Sequence, residues 1–338
     1  MEVRDLKWYS PFLFFVGAIL SFADSITDIL TLVEFYRADH KTWFGVGLAF
    51  VLLPCLAFPI LFHWVRAKDS WAKTALCAFH PFSAAFGRIE ALIFCLKKWW
   101  YKDELDSNLS ERAEEVLWHI DLAVLFEAAL ESAPQFIIQL YAINVQKEPP
   151  SIIQIISLAI SFLVLAWAFT TTDKISLVNL DVLPSSGDLN NKCQLALYVT
   201  HLFLLSSRLL AICFFTVGYK WLVIAVLMPH SCVVLMVFII SNRDEYECSV
   251  GNVIPLILRI GIYYLRDDCI DVIDELWCIF LSHILFTIEN FIMIVVFYSN
   301  YHLDAWYYLH VTVYVCVFSV LGSAMRILLL HRLSKRPN

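Results

Sequence analysis

Two rows of polar residues interrupt a hydrophobic sequence. Ser21, Asp24, Asp28 and Thr31 recur at spacings of three and four, and Glu127, Glu131, Gln135 and Gln139 recur at every fourth position. Either spacing puts its members on one face of a helix. Carboxylates and amides aligned this way can conduct a polar group through an apolar barrier, or they can lock helices together through buried pairs. The second row covers about 18 Å of helix axis at 1.5 Å per residue. Locking two helices needs one contact, whereas a row makes a path, and the path is the favoured reading. Glu127 and Glu131 are like charges one turn apart and repel. They require a basic partner, a shared proton or water, and the candidate partners are Arg88 and Arg208, with His201 one face-length from Arg208. Asp121 and Glu289 extend the acidic set.

Other chemistry is not written in the sequence. There is no GxxxxGK[ST] phosphate loop and no HExxH or clustered His/Cys ligand set, which argues against an ATP-driven pump, an enzyme, a metal or another cofactor. The ten cysteines contain no CxxC pair. Most of them, such as Cys55, Cys213, Cys232 and Cys316, sit in apolar runs as small hydrophobes, while Cys248, Cys269 and Cys278 lie nearer loop ends, where a disulfide has room. No two glycines form GxxxG. The clusters Trp99-Trp100-Tyr101 and Trp306-Tyr307-Tyr308 read as anchors at headgroup level.

The elements that must carry these rows are membrane helices. Of 338 residues, 60% are hydrophobic and 16% charged, and the mean hydropathy is +0.71; soluble domains carry about 25% charged residues. The longest polar interval, near 172–192, is too short to fold alone, so no soluble catalytic or nucleic-acid-binding domain is expected. The fold class is an all-α polytopic membrane protein. Spans are read at 10–36, 43–65, 116–145, 151–171, 194–218, 219–241, 276–299 and 303–331, lengths that suit a hydrocarbon core of about 30 Å. Two shorter pieces, Pro81–Leu96 and Val250–Leu265, hold Arg88 and Arg259 and read as half-inserted hairpins. The apolar pattern runs straight through Ala23, so the N-terminal stretch reads as a span rather than a cleaved leader.

The order of elements repeats: two spans, a short hairpin and two spans. This divides the chain into a first membrane repeat (1–171), a cytoplasmic linker (172–193), a second repeat (194–331) and a short tail (332–338). His119-Ile120 and His283-Ile284 open the third long helix of each half. Lys and Arg concentrate in intervals on one side of the eight spans, which puts both termini in the cytoplasm. The sequon Asn108-Leu109-Ser110 would then stay unmodified.

The run Phe126-Glu127-Ala128-Ala129-Leu130-Glu131-Ser132-Ala133-Pro134-Gln135-Phe136-Ile137-Ile138-Gln139-Leu140-Tyr141 resembles the signature of the XK-related membrane proteins. The Asp24…Asp28 pair and the Lys/Trp-rich stretch after the first hairpin are similar too. The resemblance implies eight spans, two half-inserted hairpins and an internal pseudo-repeat. Several family members are phospholipid scramblases that expose phosphatidylserine in apoptosis after a caspase removes a terminal segment, and others have no assigned activity; the expectation here is a scramblase-family protein of the plasma membrane. Some family members bind a single-span glycoprotein or a lipid-transfer protein. In the family, intramembrane charges matching Asp24, Asp28, Glu127, Glu131 and Arg208 are associated with the lipid path or with helix locking. About seven residues, Arg332–Asn338, follow the last span here, which leaves no long tail to cut. Asp103-Glu104-Leu105-Asp106-Ser107 has the form of an executioner-caspase site, and equally of acidic residues leading into a helix N-terminus.

Three functions fit these readings. The first is energy-independent scrambling, with headgroups following the polar rows while acyl chains stay in lipid. The second is a scaffold whose charges only hold helices together and whose loops dock a partner. The third, a solute or ion transporter, rests on the prolines Pro54, Pro59 and Pro134, which hint at unwound helices.

Overall fold

The computed structural model describes residues 10–65, 82–101, 120, 124, 127–146, 148–179, 191–241, 276–302 and 305–334. Regular structure among them is helical throughout. The order is α1 (Ser10–Arg37), α2 (Lys41–Val65), α3 (Phe82–Tyr101), a π-helical turn (Ala128–Ser132) leading into α4 (Ala133–Val145), α5 (Ile152–Asn179), α6 (Asn191–Tyr219), α7 (Leu222–Ser241), α8 (Leu276–Tyr301) and α9 (Tyr308–Ser334). Among the described residues, five segments are long and apolar enough to cross a bilayer: Ser10–Arg37, Ile152–Thr171, Asn191–Tyr219, Phe280–Tyr301 and Tyr308–Leu333.

α1 shows why these helices belong in lipid. Its exposed side carries Phe12, Phe15, Ile19, Ile26, Ile29 and Val33, while its buried side carries Ser21, Asp24, Ser25, Asp28 and Thr31. A soluble amphipathic helix has the reverse arrangement. Apolar surface outside and polar groups inside is the stable choice only where the solvent is hydrocarbon.

Local chemistry sets the helix ends. α1 stops at a Schellman motif: the His40 amide donates to the Phe35 carbonyl at 2.9 Å and the Asp39 amide to the Tyr36 carbonyl at 3.2 Å. Asp39 takes the left-handed conformation that closes it (φ 62°). α5 starts at a capping box, in which Ser151 Oγ accepts from the Gln154 amide at 3.1 Å and the Ser151 amide donates to Gln154 Oε1 at 2.9 Å. α6 ends where Lys220 turns left-handed (φ 50°) and its amide donates to the Thr216 carbonyl at 2.7 Å.

The chain divides into two compact units. The first gathers Met1–Phe136, Pro150–Ile175 and Pro184–Leu189; the second gathers Ile137–Pro149, Ser176–Leu183 and Asn190–Asn338. In the first, α1 packs on α3 and on α2, and α2 packs on the π turn. Gly47 makes the α2 packing possible, because a Cβ there would collide with Leu32 of α1. In the second, α6 packs against α9, α8 and α7 around a core that includes the edge-to-face rings of Phe214, Phe297 and Tyr308. Gly322 lets α9 approach α6 closely, since a Cβ there would lie 2.9 Å from Leu204 Cγ and 3.1 Å from its backbone nitrogen.

Several boundaries differ from the sequence reading. The piece expected at Pro81–Leu96 continues unbroken to Tyr101. Lys97 and Lys98 prolong this helix rather than end it, and its 20 residues measure about 30 Å. α5 runs on to Asn179 and α6 begins at Asn191, which shortens the interval read as a linker. The helix expected from 219 starts at Leu222, after the Lys220 turn. Asp121, Asp103, Asp106, Asn108, Cys248, Cys269 and the piece Val250–Leu265 with Arg259 lie outside the described residues.

Candidate functional site

The site of the first unit is built on α1 and α5. Ser161 Oγ donates to Asp24 Oδ1 at 2.6 Å, Ser157 Oγ to Asp28 Oδ1 at 2.6 Å, and Ser151 Oγ to Glu34 Oε2 at 2.6 Å. From rung to rung the α5 number falls by as much as the α1 number rises, as in two antiparallel helices held in register. Ser132 Oγ reaches the other oxygen of Asp24 at 2.9 Å, so both lone-pair faces of that carboxylate are answered by hydroxyls. Hydrogen bonds to a charged group are shorter and stronger than neutral ones. Thr31, the last member of the first row, turns its hydroxyl back to the Thr27 carbonyl at 2.9 Å.

The second row lies across a break in helical winding that the sequence reading did not anticipate. Residues 116–145 were expected as one regular helix, yet Ala128–Ser132 forms a π turn, closed by the Ala133 amide donating to the Ala128 carbonyl. Pro134 supplies the cause. It has no N–H for the Leu130 carbonyl, and its ring would strike that carbonyl in a regular α-helix. The wider turn accommodates it. The turn also keeps the row straight. In an α-helix each four-residue step overshoots a full turn by about 40°, so three steps would carry Gln139 far round the helix from Glu127. A π turn holds more residues, so its four-residue step undershoots and offsets the drift. Glu127, Glu131 and Gln135 are accordingly all buried in the first unit; Gln139, which belongs to the second, is buried as well.

Arg88 of α3 reaches the same place. Its Nη1 donates to the Gly17 carbonyl at 3.0 Å and to Ser21 Oγ, and Ser21 Oγ in turn donates to Glu127 Oε2 at 3.3 Å. Gly17 gives the guanidinium stem its room: a Cβ there would sit 3.1 Å from Arg88 Cδ and Nε. Gln135 Nε2 donates to the Gly47 carbonyl at 2.7 Å. Glu131 lies within electrostatic reach of Asp24, Asp28 and Glu127, Glu127 also of Asp24, and Arg88 reaches Asp24 and Glu127.

Arg208, the other candidate cation, has partners of its own in the second unit. In the second unit its Nη1 meets Glu289 Oε2 at 2.9 Å and Asn290 Oδ1 at 3.0 Å, with its guanidinium 5.6 Å from the centre of the Phe286 ring. His230 Nδ1, on the residue after Pro229 of α7, also lies 3.0 Å from Glu289 Oε2. Asn290 Nδ2 donates to Ser319 Oγ at 3.1 Å, and Thr287 Oγ1 and Ser323 Oγ are 3.1 Å apart. His230, Asn290 and Ser319 were not anticipated, nor were Ser132, Ser157 and Ser161. Their spacing held the signal, since Ser157 and Ser161 stand one turn apart, as Asp24 and Asp28 do, and Ser319 and Ser323 repeat the pattern.

A model of the XK-related protein family matches residues 12–330, which takes in α1 to most of α9. Among curated relatives, XK-related protein 8 of Tetraodon nigroviridis is 24% identical over 184 residues, covering 49% of this chain and 44% of the relative. The chain therefore matches less than half of that relative's length. The family match, together with helices that turn apolar residues outward and fold their charges inward, makes this chain an integral membrane protein of the XK-related family.

Proposed function

We propose that the protein is an energy-independent phospholipid scramblase, in which headgroups cross the membrane along the polar stripe of the first unit while acyl chains remain in lipid. One observation carries this reading: Asp24, Asp28, Glu127, Glu131 and Gln135 are gathered inside helices whose outer faces are apolar. Groups of that cost at membrane depth mark a pathway or a partner. On this reading the buried stripe opens by breaking the serine rungs between α1 and α5. The protein makes and breaks no covalent bond, and it lowers a barrier without setting a direction.

The wider reading has eight spans, two half-inserted hairpins and two pseudo-repeats, with both termini in the cytoplasm of a plasma-membrane protein. Exposure of phosphatidylserine in apoptosis, and assembly with a single-span glycoprotein or a lipid-transfer protein, are the roles and partners it accommodates. The full satisfaction of Asp24 by Ser161 and Ser132 favours a second reading, a scaffold in which the charges only lock helices. Reconstitution separates the two. Purified protein in liposomes carrying a fluorescent phospholipid should, without nucleotide, expose nearly all of the label to a membrane-impermeant quencher. Protection of the inner half of the label, as in protein-free vesicles, would refute scrambling.

A further inference from the structure

The charge of the stripe is unevenly distributed. The guanidinium of Arg88 sits at one end, against Gly17 and Ser21 and within electrostatic reach of Asp24 and Glu127, while Asp28 and Glu131 lie one turn farther along. Along the stripe, two buried acceptors, Glu127 Oε1 and Gln135 Oε1, have no hydrogen-bond partner among the described residues, and both residues are 0% exposed. Acceptors left in this state call for a donor or a cation. A visitor that suits the stripe therefore presents an anion to Arg88 and, close behind it, a positive charge to the acids.

We infer that the stripe selects phospholipids whose phosphate is followed by an ammonium group, as in choline and ethanolamine headgroups, over those ending in a hydroxyl or in bare phosphate. This inference rests on the scramblase reading and names the substrate class of the same site. A phosphate alone can be met by Arg88, but it then travels past four carboxyl groups with nothing to offset the repulsion. An adjacent ammonium turns that stretch from barrier to attraction, and it does so in a low-dielectric setting where charge interactions are strong.

Four phospholipids labelled on the acyl chain, so that their headgroups stay intact, provide the test in proteoliposomes of wild-type protein. Phosphatidylcholine and phosphatidylethanolamine should move about tenfold faster than phosphatidylglycerol and phosphatidic acid. The gap should narrow in Asp28→Asn, which keeps an acceptor for Ser157 but removes one negative charge. Equal rates for all four lipids in the wild type would overturn the preference and leave scrambling intact. Movement of none would overturn both.

Discussion

The Ser161 hydroxyl of α5 donates a 2.6 Å hydrogen bond to the Asp24 carboxylate of α1, deep in the first unit. The bond fastens two helices at the point where the polar stripe would have to open. Replacing Ser161 with alanine takes one donor from a buried carboxylate, at a cost of about 1–3 kcal/mol. The variant should melt at a lower temperature in detergent and, with its closed state weakened, scramble lipid faster than wild type. A lower melting temperature with slower lipid movement would show that the rung supports the path rather than shutting it.

Pro134 should matter more to alignment than to stability. Alanine supplies the N–H that the Leu130 carbonyl lacks, which allows the π turn to relax into an α-helix and rotates Glu127 by about 100° relative to Gln135. A short thiol-reactive cross-linker between Ser21→Cys and Glu127→Cys, whose parent side chains meet at 3.3 Å, reads this rotation directly. Cross-linking should fall in the Pro134→Ala background and scrambling with it, while the melting temperature holds or rises. Unchanged cross-linking would mean that the turn is set by packing rather than by proline.

The pair formed by Arg208 and Glu289 in the second unit is an ion pair at 2.9 Å. Removing the arginine alone, as in Arg208→Leu, leaves the acid without its guanidinium and should cost about 3–5 kcal/mol. Arg208→Leu combined with Glu289→Leu should recover much of that loss. A double-mutant cycle on melting temperature measures the coupling, and simple additivity of the two substitutions would contradict the pairing.

The polar rows were legible because period and burial are linked: charges at helical spacing inside apolar runs must turn inward. The partners of those charges were harder to read. Arg88 and Arg208 have the same chemistry and both stand in apolar surroundings, so the sequence allowed either to serve Glu127, and it takes packing to bring Arg88 to Ser21 beside Glu127 and Arg208 to Glu289. The π turn was half written. Pro134 announces a disturbed helix, but whether the backbone kinks or widens depends on what lies against it. Serines such as Ser157 and Ser161 hide in membrane helices because their hydroxyls can equally turn back on their own backbone, as Thr31 does.

The central claim is that the stripe moves lipid by its charge, and Asp28→Asn tests this most directly. Asparagine Oδ1 can still accept from Ser157, so the rung seen at 2.6 Å survives while the charge is lost. Flip rates in proteoliposomes should fall about tenfold or more at a melting temperature within a few degrees of wild type. A lowered melting temperature with wild-type lipid movement would contradict the account and leave the charges as helix locks.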